Sequence, residues 1–141
     1  MAHKESVSTR WIENMAFESE VNGHKLIIDV GPASGGEDRG PRPKQLMLSA
    51  LGGCTAMDVV AMLKKMRVNI DGLNVIVEGD LTEDYPKHFF KMHVIYEFKG
   101  KDLPLDKLQK VIDLSSEKYC GVSAVYRKAM ELTSEIRILE P

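Results

Sequence analysis

From Val7 to Val30 hydrophobic and polar positions alternate with a period of two. Val7, Thr9 and Trp11 mark a first run, Met15, Phe17, Ser19 and Val21 a second, and His24, Leu26, Ile28 and Val30 a third. Alternation of this kind predicts strands with one covered face. Asn22-Gly23 separates the second and third runs. Both central residues of a type I′ hairpin turn need positive φ, and this pair adopts it readily. Residues 7–30 are therefore expected to form an antiparallel meander. Residues 31–43 break the pattern with glycine and proline and predict a loop. It is long for a connection inside one domain, and such loops are often functional.

From Lys44 to Met66 the pattern predicts helix, with apolar residues on nearly every side between Leu46 and Leu63. Gly52-Gly53 interrupts it, and each glycine costs a helix interior up to about 1 kcal/mol relative to alanine. The pair implies a break into two pieces or a close backbone approach. With a break, Cys54 falls in the first turn of the second piece. Two more alternating runs follow, Leu73 to Leu81 and Phe90 to Phe98, joined by a turn over Glu83–Lys87. Pro104 then opens a helix with Leu105, Leu108, Val111 and Ile112 on one face. Cys120-Gly121 breaks it, Val122, Val125, Tyr126 and Ala129 mark a last helix, and Ser134–Leu139 a short strand. Strands, long helix, strands, then helices is an α+β order, and clean alternation suits an antiparallel sheet. One such sheet does not cover a helix that is apolar all round. That imbalance predicts a homodimer wrapped around a long central buried helix.

The length of 141 residues predicts a single domain over 1–141. The 43% hydrophobic content suffices for a core. Nineteen basic against 21 acidic residues leave a net charge of −2, which gives no footprint for nucleic acid. The stretch 46–63 approaches the length of a membrane span. Asp58 lies inside it and Lys64-Lys65 follows, so a helix buried in a soluble protein is expected rather than a membrane segment. The residues from Met1 to Ser6 carry no apolar stretch that reads as a secretory signal. A cytoplasmic protein with reduced or cycling thiols is expected.

The two cysteines, Cys54 and Cys120, each read as standing at a helix start. Such a position favours the thiolate through unsatisfied N–H groups and the helix dipole. Two such thiols suggest a redox pair; the plain alternative is two small buried hydrophobes. Asp58 is either part of the thiol site or a paired buried acid. The methionines around the central helix, Met47, Met57, Met62 and Met66, either fill a core or form an adaptable apolar wall. The four histidines and two cysteines lack zinc-site spacings, so no metal is expected. Lys64-Lys65-Met66-Arg67 fits a solvated helix end. Gly35-Gly36 lacks the GK[ST] of a phosphate loop.

Pro43 to Cys54, with Leu-Met-Leu-Ser-Ala-Leu-Gly-Gly-Cys after a polar pair, resembles the first motif of the OsmC/Ohr family. Leu114 to Ser123, around Tyr119-Cys120-Gly121, resembles the second. The length and element order match as well. The resemblance implies an OsmC-like fold, an intertwined homodimer with its active site at the interface, and no bound cofactor. It implies thiol-dependent reduction of organic hydroperoxides, an oxidoreductase role in the oxidative stress response. Cys54 corresponds to the attacking thiol, Cys120 to the resolving one, and Arg39 to the guanidinium over the thiolate; Arg10 and Arg42 are the other arginines considered. The partners implied are a small-molecule hydroperoxide and a dithiol or thiol reductant. Peroxidase members carry an arginine-orienting glutamate shortly after the proline, where this chain has Lys44 and Gln45. That departure places it nearer a less characterised OsmC-like branch than the dedicated organic hydroperoxide resistance proteins, and predicts slow peroxidase turnover. The alternative is a non-catalytic binder of small apolar or thiol-bearing molecules on the same fold.

Overall fold

The computed structural model describes residues 2–139, so the extreme ends of the expected 1–141 domain lie outside the described residues. The chain forms two compact units, the first ending at Met47 and the second starting at Leu48.

The first unit carries three strands, β1 (Ser8–Glu13), β2 (Ala16–Val21) and β3 (His24–Ile28), in an antiparallel sheet of order β1-β2-β3. This is the meander that the alternation predicts. Asn22 and Gly23 have φ of 52° and 80°, the paired positive values of a type I′ turn. Ala16 and Ser19 are buried, while Trp11, Phe17 and Val21 remain exposed in the single chain. After β3 the buried Asp29 organises the glycine-rich loop. Its carboxylate accepts the N–H groups of Val30 (2.7 Å), Glu37 (3.2 Å) and Arg39 (3.2 Å). Burial opposes its charge, but these N–H groups and the Arg39 guanidinium prevail and hold the carboxyl below its ordinary value.

The second unit holds most of α1 (Pro43–Lys65), then β4 (Gly72–Leu81), β5 (Phe89–Lys99), α2 (Leu105–Leu114), α3 (Gly121–Arg127) and β6 (Glu131–Leu139). Its sheet has the order β4-β5-β6. β4 and β5 pair antiparallel, but β6 pairs parallel to β5, from Lys91↔Glu131 to Lys99↔Leu139. The expectation of an antiparallel sheet fails at this one strand. After β5 the chain runs through both short helices before it returns, and a crossover of that length is what parallel pairing requires. β6 also begins earlier than the alternation of Ser134–Leu139 suggests.

The core joins Leu51, Val59 and Leu63 of α1 to Met92, Val94, Tyr96 and Phe98 of β5 and Leu108, Val111 and Ile112 of α2. The buried positions of α1 are Leu51, Thr55, Val59 and Leu63. Their spacing of four places them in one stripe. Met57, off this stripe, is 76% exposed.

Gly52-Gly53 does not break α1, which runs unbroken through both. A Cβ added at Gly52 would lie 3.4 Å from Val77 Cγ2 and 4.0 Å from the Val75 carbonyl. Those are ordinary van der Waals distances, and a Cβ at Gly53 would meet nothing within 4 Å, so the pair neither breaks the helix nor is required by a close approach. The helix stops where Arg67 turns to φ 58°. The Val68 N–H reaches the Leu63 carbonyl (2.9 Å) and the Arg67 N–H the Lys64 carbonyl (3.1 Å), a Schellman closure. Lys64 and Lys65 complement the dipole there. By length and composition α1 is also apolar enough to cross a membrane. Here its buried stripe belongs to the core of the second unit.

Candidate active site

Cys54 stands in the middle of α1, not in a first turn. The expectation that a new helix starts at Cys54 is corrected, and with it the reason for a depressed thiol pKa. Cys120 does stand at a helix start. It is the N-cap of α3, and its Sγ accepts the Ser123 N–H at 3.3 Å. A sulfur here takes the place of the serine or aspartate oxygen usual at a cap. Both cysteines are free thiols, Cys54 half-buried and Cys120 buried. A single turn of π-helix, Ser115–Tyr119, leads into the cap. Such wide turns are frequent at functional sites, and this one sets the Cys120 N–H on the Ser115 carbonyl at 2.7 Å.

The fold brings the two thiols together. The sulfurs of Cys54 and Cys120 and a carboxylate oxygen of Asp58 lie within 4.8 Å of one another. Three donors fall short of the four that close a structural zinc site, and we assign no metal ligand among them. The first turn of α3, not of α1, is what Cys54 faces, since its thiol accepts from the Val122 N–H. Burial pushes the Cys54 thiol above its ordinary value. The Val122 N–H offsets this in part, and the Cys120 sulfur and the Asp58 charge push it further up. Of the two sequence readings of Asp58, its place beside both sulfurs favours the one that makes it part of the thiol site. The net direction is opposite to the one expected for a thiol at its own helix start.

Behind the thiols runs a chain of buried hydroxyls. Ser115 Oγ donates to Asp58 Oδ2 at 2.9 Å. Thr55 Oγ1 lies 2.9 Å from Ser115 Oγ, and Tyr96 Oη 2.7 Å from Thr55 Oγ1. Each hydroxyl has one hydrogen to give. Ser115 spends its hydrogen on Asp58, so Thr55 donates to Ser115 and Tyr96 to Thr55. Burial pushes the Tyr96 phenol above its ordinary value, which keeps the hydrogen that it donates.

The OsmC-like protein family model matches residues 35–135. The chain belongs to the OsmC-like family. Protein YhfA of Escherichia coli strain K12 is 30% identical over 131 residues, spanning 92% of this chain and 95% of that protein. Among solved structures, a hypothetical protein from Aquifex aeolicus VF5 aligns over 99% of both chains with a TM-score of 0.86 and 24% identity. The organic hydroperoxide resistance protein OhrB of Bacillus subtilis aligns over 96% of this chain and 98% of its own with a TM-score of 0.65 and 21% identity. These two likenesses establish the α+β fold.

In this OsmC-like chain Arg39 belongs to the first unit, where its guanidinium pairs with Glu13 at 3.3 Å. Arg10 pairs with Glu18 at 3.1 Å, and Arg42 pairs with Asp38. Lys44 and Gln45 are exposed in the first turn of α1. Asp58 also lines a cavity of about 470 Å³, together with the apolar Met62, Met66 and Leu114 and the basic Lys65 and Lys110. The methionine readings merge at Met62 and Met66, which pack against the core and line this cavity. Sequence reasoning did not single out Thr55, Ser115 or Tyr96. The available signal was polar residues at core-facing positions: Thr55 shares a stripe with Leu51 and Val59, and Tyr96 lies between Val94 and Phe98 on the strand.

Proposed function

We propose that this protein reduces organic hydroperoxides through Cys54 and Cys120, slowly and without a bound cofactor. The observation that carries this reading is the pair of free thiols with sulfurs within 4.8 Å, one half-buried and one buried. The more exposed sulfur meets the hydroperoxide first. The Cys54 thiolate attacks the O–O bond, which breaks; an alkoxide leaves and takes a proton from water to become the alcohol. Cys54 becomes a sulfenic acid. The Cys120 sulfur then forms the S–S bond as the S–O bond breaks and water departs. An external dithiol or thiol restores both thiols by exchange. Two features support a slow reaction. Cys54 is held above its ordinary pKa, and Lys44 and Gln45 offer no carboxylate to orient an arginine. On the family resemblance Arg39 supplies that guanidinium.

One equivalent of an organic hydroperoxide is expected to remove both titratable thiols, and a dithiol to restore them. An unchanged titre favours the other reading, a non-catalytic binder that uses the 470 Å³ cavity for small apolar or thiol-bearing molecules.

The working unit in this proposal is a cytoplasmic homodimer. Met57 at 76% exposure and Trp11 at 62% are large apolar groups that the single chain leaves in water, and a second copy would cover them. Elution at twice the chain mass is expected at micromolar concentration; a stable monomer contradicts it.

A further inference from the structure

The peroxidase reading leaves one charged group without a task. Asp58 reaches both sulfurs within 4.8 Å, yet its charge opposes formation of the Cys54 thiolate. A group that hinders the first step has to be explained by a later one. We propose that Asp58 carries the proton of the second step, from the Cys120 thiol to the hydroxyl that leaves Cys54. This inference rests on the redox reading of the same two thiols.

The chemistry of closure calls for such a shuttle. Cys120 is 2% exposed, so water is poorly placed to take its proton. Hydroxide is a poor leaving group and needs a proton as the S–O bond breaks. One carboxylate in reach of both sulfurs meets both needs. It accepts the proton of Cys120 as the S–S bond forms and delivers it to the departing oxygen, which leaves as water. Asp58 ends the step unchanged, and no further reactant enters. General acid–base help of this kind is worth roughly a hundredfold or more.

The hydroxyl chain gives the carboxylate its aim. Ser115 holds Oδ2, and Thr55 and Tyr96 fix the direction of that hydrogen bond. The same carboxylate lies within 4.8 Å of both sulfurs. Thr55 and Ser115 are 1% and 0% exposed, so this chain is not shared with solvent. The other groups that face the site are named by the same geometry. Lys65 of α1 and Lys110 of α2 line the cavity beside Asp58, and Asp113 of α2 acts on Tyr96. Asp58 is thus placed as a catalytic residue, and Ser115, Thr55 and Tyr96 as positioning residues.

Asp58→Asn separates this role from a structural one because its two effects have opposite signs. The asparagine carbonyl still accepts from Ser115, so the network persists. Without the charge, alkylation of Cys54 by iodoacetamide at neutral pH should quicken several-fold. Disulfide closure should slow by roughly a hundredfold, and dimedone should trap sulfenic acid that the wild type does not accumulate. Ser115→Ala keeps the charge but loosens its aim; it should slow closure with no gain in alkylation rate. Closure is also driven with diamide, which adds to the Cys54 sulfur and is displaced by Cys120. That arm runs the second step without any peroxide. A wild type inert to hydroperoxide but dependent on Asp58 with diamide would refute the proposed function and keep this inference. Closure of the Asn variant at the wild-type rate overturns the inference. So does slowing of alkylation and closure together, which marks a packing defect.

Discussion

Cys54→Ser is expected to lower hydroperoxide turnover to background, a loss of about a thousandfold or more, because a serine hydroxyl is not ionised near neutrality. Cys120→Ser is expected to behave differently. Its Cys54 still attacks, so one equivalent of alcohol forms in a burst. The sulfenic acid then has no partner, and with excess hydroperoxide it goes on to sulfinic acid. Steady turnover falls as far as in the first variant, but the burst remains. The contrast follows from placement, with Cys54 half-buried and Cys120 enclosed as the cap of α3. Stopped-flow measurement of alcohol release separates the two. A burst in Cys54→Ser and none in Cys120→Ser would exchange the roles.

The rate of the first step is expected to climb with pH from neutrality through the ordinary thiol range, by up to about tenfold per unit. The sign follows from the cause. Burial, the neighbouring sulfur and the Asp58 charge raise the Cys54 pKa, with the Val122 N–H as a partial offset. The neutral thiol is then favoured, and only the thiolate attacks. Each unit of pH below the pKa therefore removes about nine-tenths of the reactive form. Asp58→Asn shifts the curve to lower pH by removing one of the raising charges. Alkylation of Cys54 across this range reads the profile directly. A rate that is flat from about pH 7 upward would mean a thiolate already formed, and would contradict the electrostatics of the site.

The elements of the fold were largely legible in the chain. Alternation from Val7 to Val30 marks the three strands, and Asn22-Gly23 adopts the positive φ pair expected of it. The long apolar run is one helix, and the motifs around Cys54 and Cys120 point to the family. What failed has a common cause. Local patterns do not show what an element packs against. Gly52-Gly53 reads as a helix break in isolation, but α1 runs unbroken through both and packs its Leu51, Val59 and Leu63 into the core. Cys54 reads as a thiol at the start of its own helix, whereas the N–H that it meets belongs to α3. The parallel pairing of β6 depends on the crossover through α2 and α3, which alternation does not record. Ser115, Thr55 and Tyr96 are far apart in sequence and form a hydrogen-bonded chain only when helix, strand and π-turn converge.

The central claim is that Cys54 and Cys120 form a disulfide when the protein meets a hydroperoxide. Its most direct test is peptide mapping by mass spectrometry after one equivalent of an organic hydroperoxide, with free thiols blocked at the quench. The account predicts an intact mass lower by two hydrogen atoms and a linked pair of peptides containing Cys54 and Cys120, both reversed by a dithiol. Two unmodified thiols, or an oxidised Cys54 with Cys120 still free, would contradict it.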